Sequence, residues 1–145
     1  MDDDAIRQDY DALLEPLLDF ALHMLGEHGE FFPAGAAITD TGEVTLVGVE
    51  SGDEEPEVKE VVDLLVSQLR DLASEGEIRA SGIVVGAVVE LEDSEQPSDA
   101  ALVHLEHRDG EPLDVALPYE PHGDHVHPGE LIAGTGASRV FDART

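Results

Sequence analysis

The chain has 145 residues, 34 of them Asp or Glu and 7 Lys or Arg, for a net charge of −27. That balance excludes a direct nucleic-acid binder, which needs several phosphate-neutralising cations, and it disfavours anionic membrane surfaces for the same reason. The absence of Cys excludes a disulfide scaffold and thiolate chemistry, while a hydrophobic share of 41 % is enough for a core, so one globular domain is expected.

Six of the seven cations are Arg, Lys59 is the single lysine, and the acids are dispersed along the whole chain. Dispersed acid with lysine nearly eliminated reads as salt adaptation rather than as one patch for a basic partner, because self-repulsion is screened in concentrated salt. The opening Met1-Asp2-Asp3-Asp4 is the reverse of a basic signal-peptide start, and no apolar run approaches the roughly 20 residues of a membrane span. A soluble cytoplasmic protein is expected.

Residues 5–28 predict a helix. Ile6, Tyr10, Leu13, Leu14, Leu17, Leu18, Ala21, Leu22 and Leu25 recur at helical spacing, and Pro16 is expected to kink it or start a second helix. Residues 35–50 predict a hairpin around Asp40-Thr41-Gly42, with Gly42 left-handed. That register pairs Thr39 with Glu43, Ile38 with Val44 and Ala36 with Leu46, and puts Ile38, Val44 and Leu46 on one face. Residues 56–75 predict a second helix, with Val58, Val61, Val62, Leu65, Leu69 and Leu72 in its buried stripe and Gly76 closing it. The run 78–92, with Ile83-Val84-Val85 unbroken by polar residues, predicts a central strand covered on both faces. A second hairpin, 100–107 with 112–119, is expected around Arg108-Asp109-Gly110, again with a left-handed glycine; it pairs Leu105 with Leu113 and His104 with Asp114. The tail holds a short candidate strand at Ser138–Phe141.

The fold expected is α+β: helix, two strands, helix, three strands, in a five-stranded, mostly antiparallel sheet with both helices on one face. Residues 1–120 form the domain and 121–145 a Gly/Pro/His-rich C-terminal extension. This element order, over residues 5–119, resembles that of the roadblock and profilin-like folds, a likeness that implies architecture and, in that group, partner docking or dimerisation through a helix or sheet edge. The segment Gly29-Glu30-Phe31-Phe32-Pro33, the Thr41-Gly42-Glu43 turn and Pro118-Tyr119 also resemble a family of small prokaryotic proteins with a GEFFP-type turn. That likeness implies no activity and lends no catalytic residues.

The sharpest chemical signal is His122-Gly123-Asp124-His125-Val126-His127, with Glu130 nearby. His125 and His127 would share a side of an extended segment, and His122 or Glu130 could complete a three-ligand zinc or iron site. The competing reading is a polar surface loop. His104 and Glu106 share a face with Asp114 across the ladder, which suggests acid–base chemistry only beneath a substrate pocket; a cross-strand ion pair on a solvated face is the simpler expectation. Phe31 and Phe32 read as core, and His23 and His28 as partners of the helix's negative pole. The loop acids Asp53-Glu54-Glu55 and Asp93-Ser94-Glu95 lack the pattern of a calcium loop, and Gly134-Thr135-Gly136 lacks that of a phosphate loop.

The function expected is therefore a salt-adapted, non-enzymatic protein-interaction module with a protein partner or a second copy of itself. The alternative is a metal binder or metal-dependent enzyme using His122, His125, His127 and Glu130.

Overall fold

The computed structural model describes residues 3–28, 31, 33–47, 57–89, 98–122, 125–129, 131–136 and 140, with the backbone alone for 28, 120–122, 125–128 and 135. Among these residues, helices α1 (Asp3–His28) and α2 (Val58–Ser74) accompany seven strands: β1 (Ala34–Thr39), β2 (Val44–Val47), β3 (Ile78–Val89), β4 (Ser98–His107), β5 (Leu113–His122), β6 (His125–Pro128) and β7 (Ile132–Thr135). No described helix is long and apolar enough to cross a membrane.

The sheet is antiparallel in the order β2-β1-β3-β4-β5-β6, with β7 also on β5. β2 and β3 both run antiparallel to β1 and flank it, so they point the same way, and α2 is the crossover such a connection requires. The outer edge of β5 is divided: β7 pairs with residues 113–116 and β6 with residues 119–122. The segment after residue 120 thus adds two strands to the five expected.

The helices lie on opposite faces, which corrects the expectation of a single helical layer. Under α1, Leu13, Leu17 and Ala21 pack with Ile38, Val84, Val103 and Leu105. Under α2, Val61, Leu65 and Leu69 pack with Ala37, Ile83 and Val140. Neighbouring strand residues point to opposite faces, so Ile38 against Ala37, and Val84 against Ile83, assign the two clusters to the two sides. The apolar run on β3 needs cover on both faces, and α2 supplies the second.

Local signals set the ends of most elements. Gly42 has φ 96°, and the first hairpin pairs Ile38 with Val44 and Ala36 with Leu46, as the turn chemistry predicts. Gly76 has φ 74°; its N–H bonds Ala73 O, and the Glu77 N–H bonds Leu72 O, a Schellman closure of α2. Pro16 neither ends nor divides α1, which runs unbroken for 26 residues. Ala12, whose carbonyl loses its helical donor to Pro16, is exposed, so water can replace that donor.

The second hairpin keeps the expected register, with Leu105 opposite Leu113 and His104 opposite Asp114. Gly110, however, does not adopt positive φ. It is small for another reason: a Cβ there would lie 3.0 Å from Ile6 Cγ2 of α1. Within Ser138–Phe141 only Val140 is described, and it is a buried bend rather than a strand residue.

Candidate functional site

Two buried polar clusters flank the middle of the sheet, one on each face. On the α2 face, β4 carries His104 and Glu106 two residues apart, and β5 carries Asp114 directly opposite His104. His104 Nδ1 lies 2.6 Å from Asp114 Oδ1, and Nε2 lies 2.9 Å from Glu106 Oε2. Glu106 is 1 % exposed and also accepts the Val140 N–H, at 3.0 and 2.9 Å from its two oxygens. Gly136 closes over the cluster, since a Cβ on it would meet Asp114 Oδ1 at 2.7 Å and the His104 ring at 3.1 Å.

This arrangement corrects the expectation of a solvated ion pair. Gly136 and Val140 lie against the cluster, Glu106 is buried and His104 nearly so, while Asp114 keeps partial exposure. Burial opposes charge on His104, but hydrogen bonds to Glu106 and then Asp114 outweigh it, and the imidazole pKa is raised above 6.5. A carboxylate thus engages each ring nitrogen, and both favour the charged form of the imidazole.

A cavity of about 180 Å³ adjoins the cluster, lined by His104 and Asp114 and by apolar residues that include Val58, Val62, Ile83 and Leu102. Pockets that enclose drug-sized ligands measure about 300–1,000 Å³. The space is small and mostly apolar, and both ring nitrogens of its histidine are engaged by carboxylates.

The second cluster lies on the α1 face and was not anticipated. Arg79 grips Asp9 of α1 through Nε at 3.0 Å and Nη2 at 2.9 Å, a bidentate pair. His107 Nε2 donates to Asp9 Oδ2 at 2.9 Å, and its Nδ1 accepts the Asp109 N–H at 3.1 Å, which fixes the neutral tautomer. Burial alone would raise the Asp9 pKa; the hydrogen bonds from Arg79 and His107 overcome it and hold the carboxyl below 3.8. Tyr10 stands edge-on to His107 and donates its hydroxyl to Glu111 O at 2.6 Å.

Arg79 reaches Asp9 because the β1–β3 register shifts between Ile38 and Thr39, which face Ala80 and Ile78 and leave Arg79 as the extra residue. Such a bulge re-aims a side chain. One sequence signal was present: Asp9 interrupts the apolar stripe of α1 between Ile6 and Leu13. An acid on a buried stripe demands a buried partner.

The remaining candidates are placed as follows. His122 ends β5 opposite His125 of β6, and His127 lies opposite Glu120. Glu130 lies outside the described residues, as do Phe32, Asp53-Glu54-Glu55 and Asp93-Ser94-Glu95. Phe31 packs against the α1 cluster, and His23 makes an exposed 3.4 Å contact with Glu27. Among residues whose side chains are described, no group of three or more His, Asp or Glu is arranged to hold a metal ion. A wider groove of about 810 Å³ runs between α1 and the β5/β7 edge, past Ile6, Tyr10, Leu14, Leu113 and Leu131.

No protein-family model matches this chain, and no curated protein or solved structure shows significant similarity to it.

Proposed function

We propose that this chain is a non-enzymatic interaction module, cytoplasmic and adapted to high salt, that self-associates through the β2 edge of its sheet. The observation that carries the reading is the state of β2. Among the described residues it pairs with β1 alone. Leu46 is 72 % and Val44 44 % exposed, although both fall on the α1 face, opposite Ala36 and Ile38. Among the described residues α1 packs on β1, β3, β4 and β6 rather than on this strand.

An uncharged apolar edge offers both unpaired backbone groups and apolar side chains, the features that soluble proteins usually blunt with Lys, Pro or a bulge. A second β2 in antiparallel register would satisfy both. Pairing two chains of charge −27 is opposed at low ionic strength and relieved in concentrated salt, so association and salt adaptation support one another. The engagement of both His104 ring nitrogens and the smallness of the adjoining cavity support the non-enzymatic part.

Sedimentation velocity in concentrated KCl tests the proposal. The wild-type chain is expected to be dimeric, and Leu46→Lys monomeric with an unchanged circular dichroism spectrum. A wild-type monomer at every concentration and salt would overturn it.

A further inference from the structure

The β5–β6 hairpin brings together four residues with metal-ligand chemistry. Glu120 and His122 are two apart on β5, and His125 and His127 are two apart on β6. The ladder pairs His122 with His125 and Glu120 with His127. In an antiparallel ladder, opposed residues share a face, and residues two apart on one strand return to it. All four positions therefore belong to one face of the hairpin.

The intervening rungs take the other face, and they are of a different kind. Tyr119 pairs with Pro128, and Pro121 with Val126. Ligand-type residues thus occupy one face and Tyr, Pro and Val the other, a segregation that a merely polar surface loop does not require.

We propose that the Glu120/His122/His125/His127 face of the β5–β6 hairpin binds one divalent transition metal ion of the zinc type. Opposed Cβ positions in a ladder are roughly 4.5–5.5 Å apart, and same-face positions along a strand about 6.6–6.8 Å apart. Imidazole and carboxylate groups spanning such a grid can reach a single ion at bond lengths of about 2.0–2.2 Å. Nitrogen and oxygen donors suit zinc, and a chain without Cys has no thiolate to offer. Four protein ligands give a closed, structural coordination, not the open position of a catalytic metal. The ion would clamp β6 to the end of β5. The ladder supplies Glu120 as the fourth ligand of this set. The inference is independent of self-association at β2.

The test uses the full chain without a His tag, stripped of metal and titrated with ZnCl₂ by calorimetry in KCl buffer near about pH 7.5, where imidazole is free to bind. One ion per chain is expected. Glu120→Gln should weaken zinc binding at least as much as the roughly 10–100-fold typical of losing an outer-shell partner. His125→Ala and His127→Ala should do so as well, and Glu130→Gln should leave affinity unchanged. Cobalt(II) added to the wild-type chain should give the intense visible bands of four-coordination, a readout that needs no variant to fold. Several weak ions per chain, insensitive to His125→Ala, would reveal adventitious binding only and overturn the site. Loss of affinity in Glu130→Gln but not in Glu120→Gln would overturn the ligand set, and a six-coordinate cobalt spectrum would overturn the closed geometry.

Discussion

Glu106 lies two residues beyond His104 on β4, and its Oε2 sits 2.9 Å from the imidazole Nε2 inside the protein. With Asp114 on the other nitrogen and the Val140 N–H on the carboxylate, this pair ties β4, β5 and Val140 into one hydrogen-bonded knot on the α2 face.

The knot gives stability a pH dependence of definite sign. His104 has a folded-state pKa raised above 6.5 by Glu106 and Asp114 against the opposing effect of burial. A group shifted upward stabilises the fold fully below its unfolded pKa, near about 6.5, and loses that contribution as pH rises through the folded value. Denaturant unfolding at constant high KCl should therefore show stability declining from about pH 6.5 upward. The decline should shrink in His104→Gln; an identical decline in that variant would contradict the assignment.

Asp9 behaves in the opposite sense. Its pKa is held below 3.8 by Arg79 and His107, despite burial, so its contribution is present above the unfolded value and is lost as pH falls through the folded one. Asp9→Ala leaves Arg79 and a buried His107 without their partner. Breaking a fully buried pair costs about 3–5 kcal/mol, and the partial exposure of Arg79 reduces this to about 2–4 kcal/mol. Urea unfolding of the variant measures the loss, and a change within about 0.5 kcal/mol, the range of an ordinary surface substitution, would contradict the assigned role.

Two glycines on β3 should respond differently to alanine. A Cβ at Gly82 would stand 2.8 Å from Leu17 Cδ1 and 3.1 Å from Leu105 Cδ2, so both buried leucines must shift to admit it. Gly82→Ala is expected to destabilise by about 1–3 kcal/mol through overpacking. Gly86 has nothing within 4 Å of such a Cβ and no positive φ, so Gly86→Ala should be neutral or stabilise by up to about 1 kcal/mol. Thermal unfolding of the two variants side by side decides this.

Salt should raise stability across a wide range. At −27 the chain repels itself, and screening shortens the reach of that repulsion from about 10 Å at 0.1 M salt to about 3 Å at 1 M. The melting temperature is expected to climb with KCl concentration. Equal stability in dilute buffer and in about 2 M KCl would contradict the salt-adapted reading.

By itself the sequence determined much of what depends on neighbouring residues: the apolar stripe of α1, the Asp40-Thr41-Gly42 turn with its register, the closure at Gly76, and the doubly buried run on β3, though not the continuity of α1 through Pro16 or the backbone of Gly110. Periodicity and turn chemistry act over a few residues, so they can be read one segment at a time. Only the tertiary structure decided which face each helix covers, because an apolar stripe records that it is buried and not against what. The same holds for His104. Its register opposite Asp114 followed from the hairpin, but its enclosure with Glu106 involves Gly136 and Val140, more than thirty positions away. Asp9 and Arg79, 70 residues apart, meet through a bulge that no local pattern announces. On the β5–β6 hairpin, too, the histidines were visible in the chain, while the pairing of Glu120 with His127 came from the ladder. Strand pairing joins distant residues through backbone hydrogen bonds, and those carry no signature of the side chains they bring together.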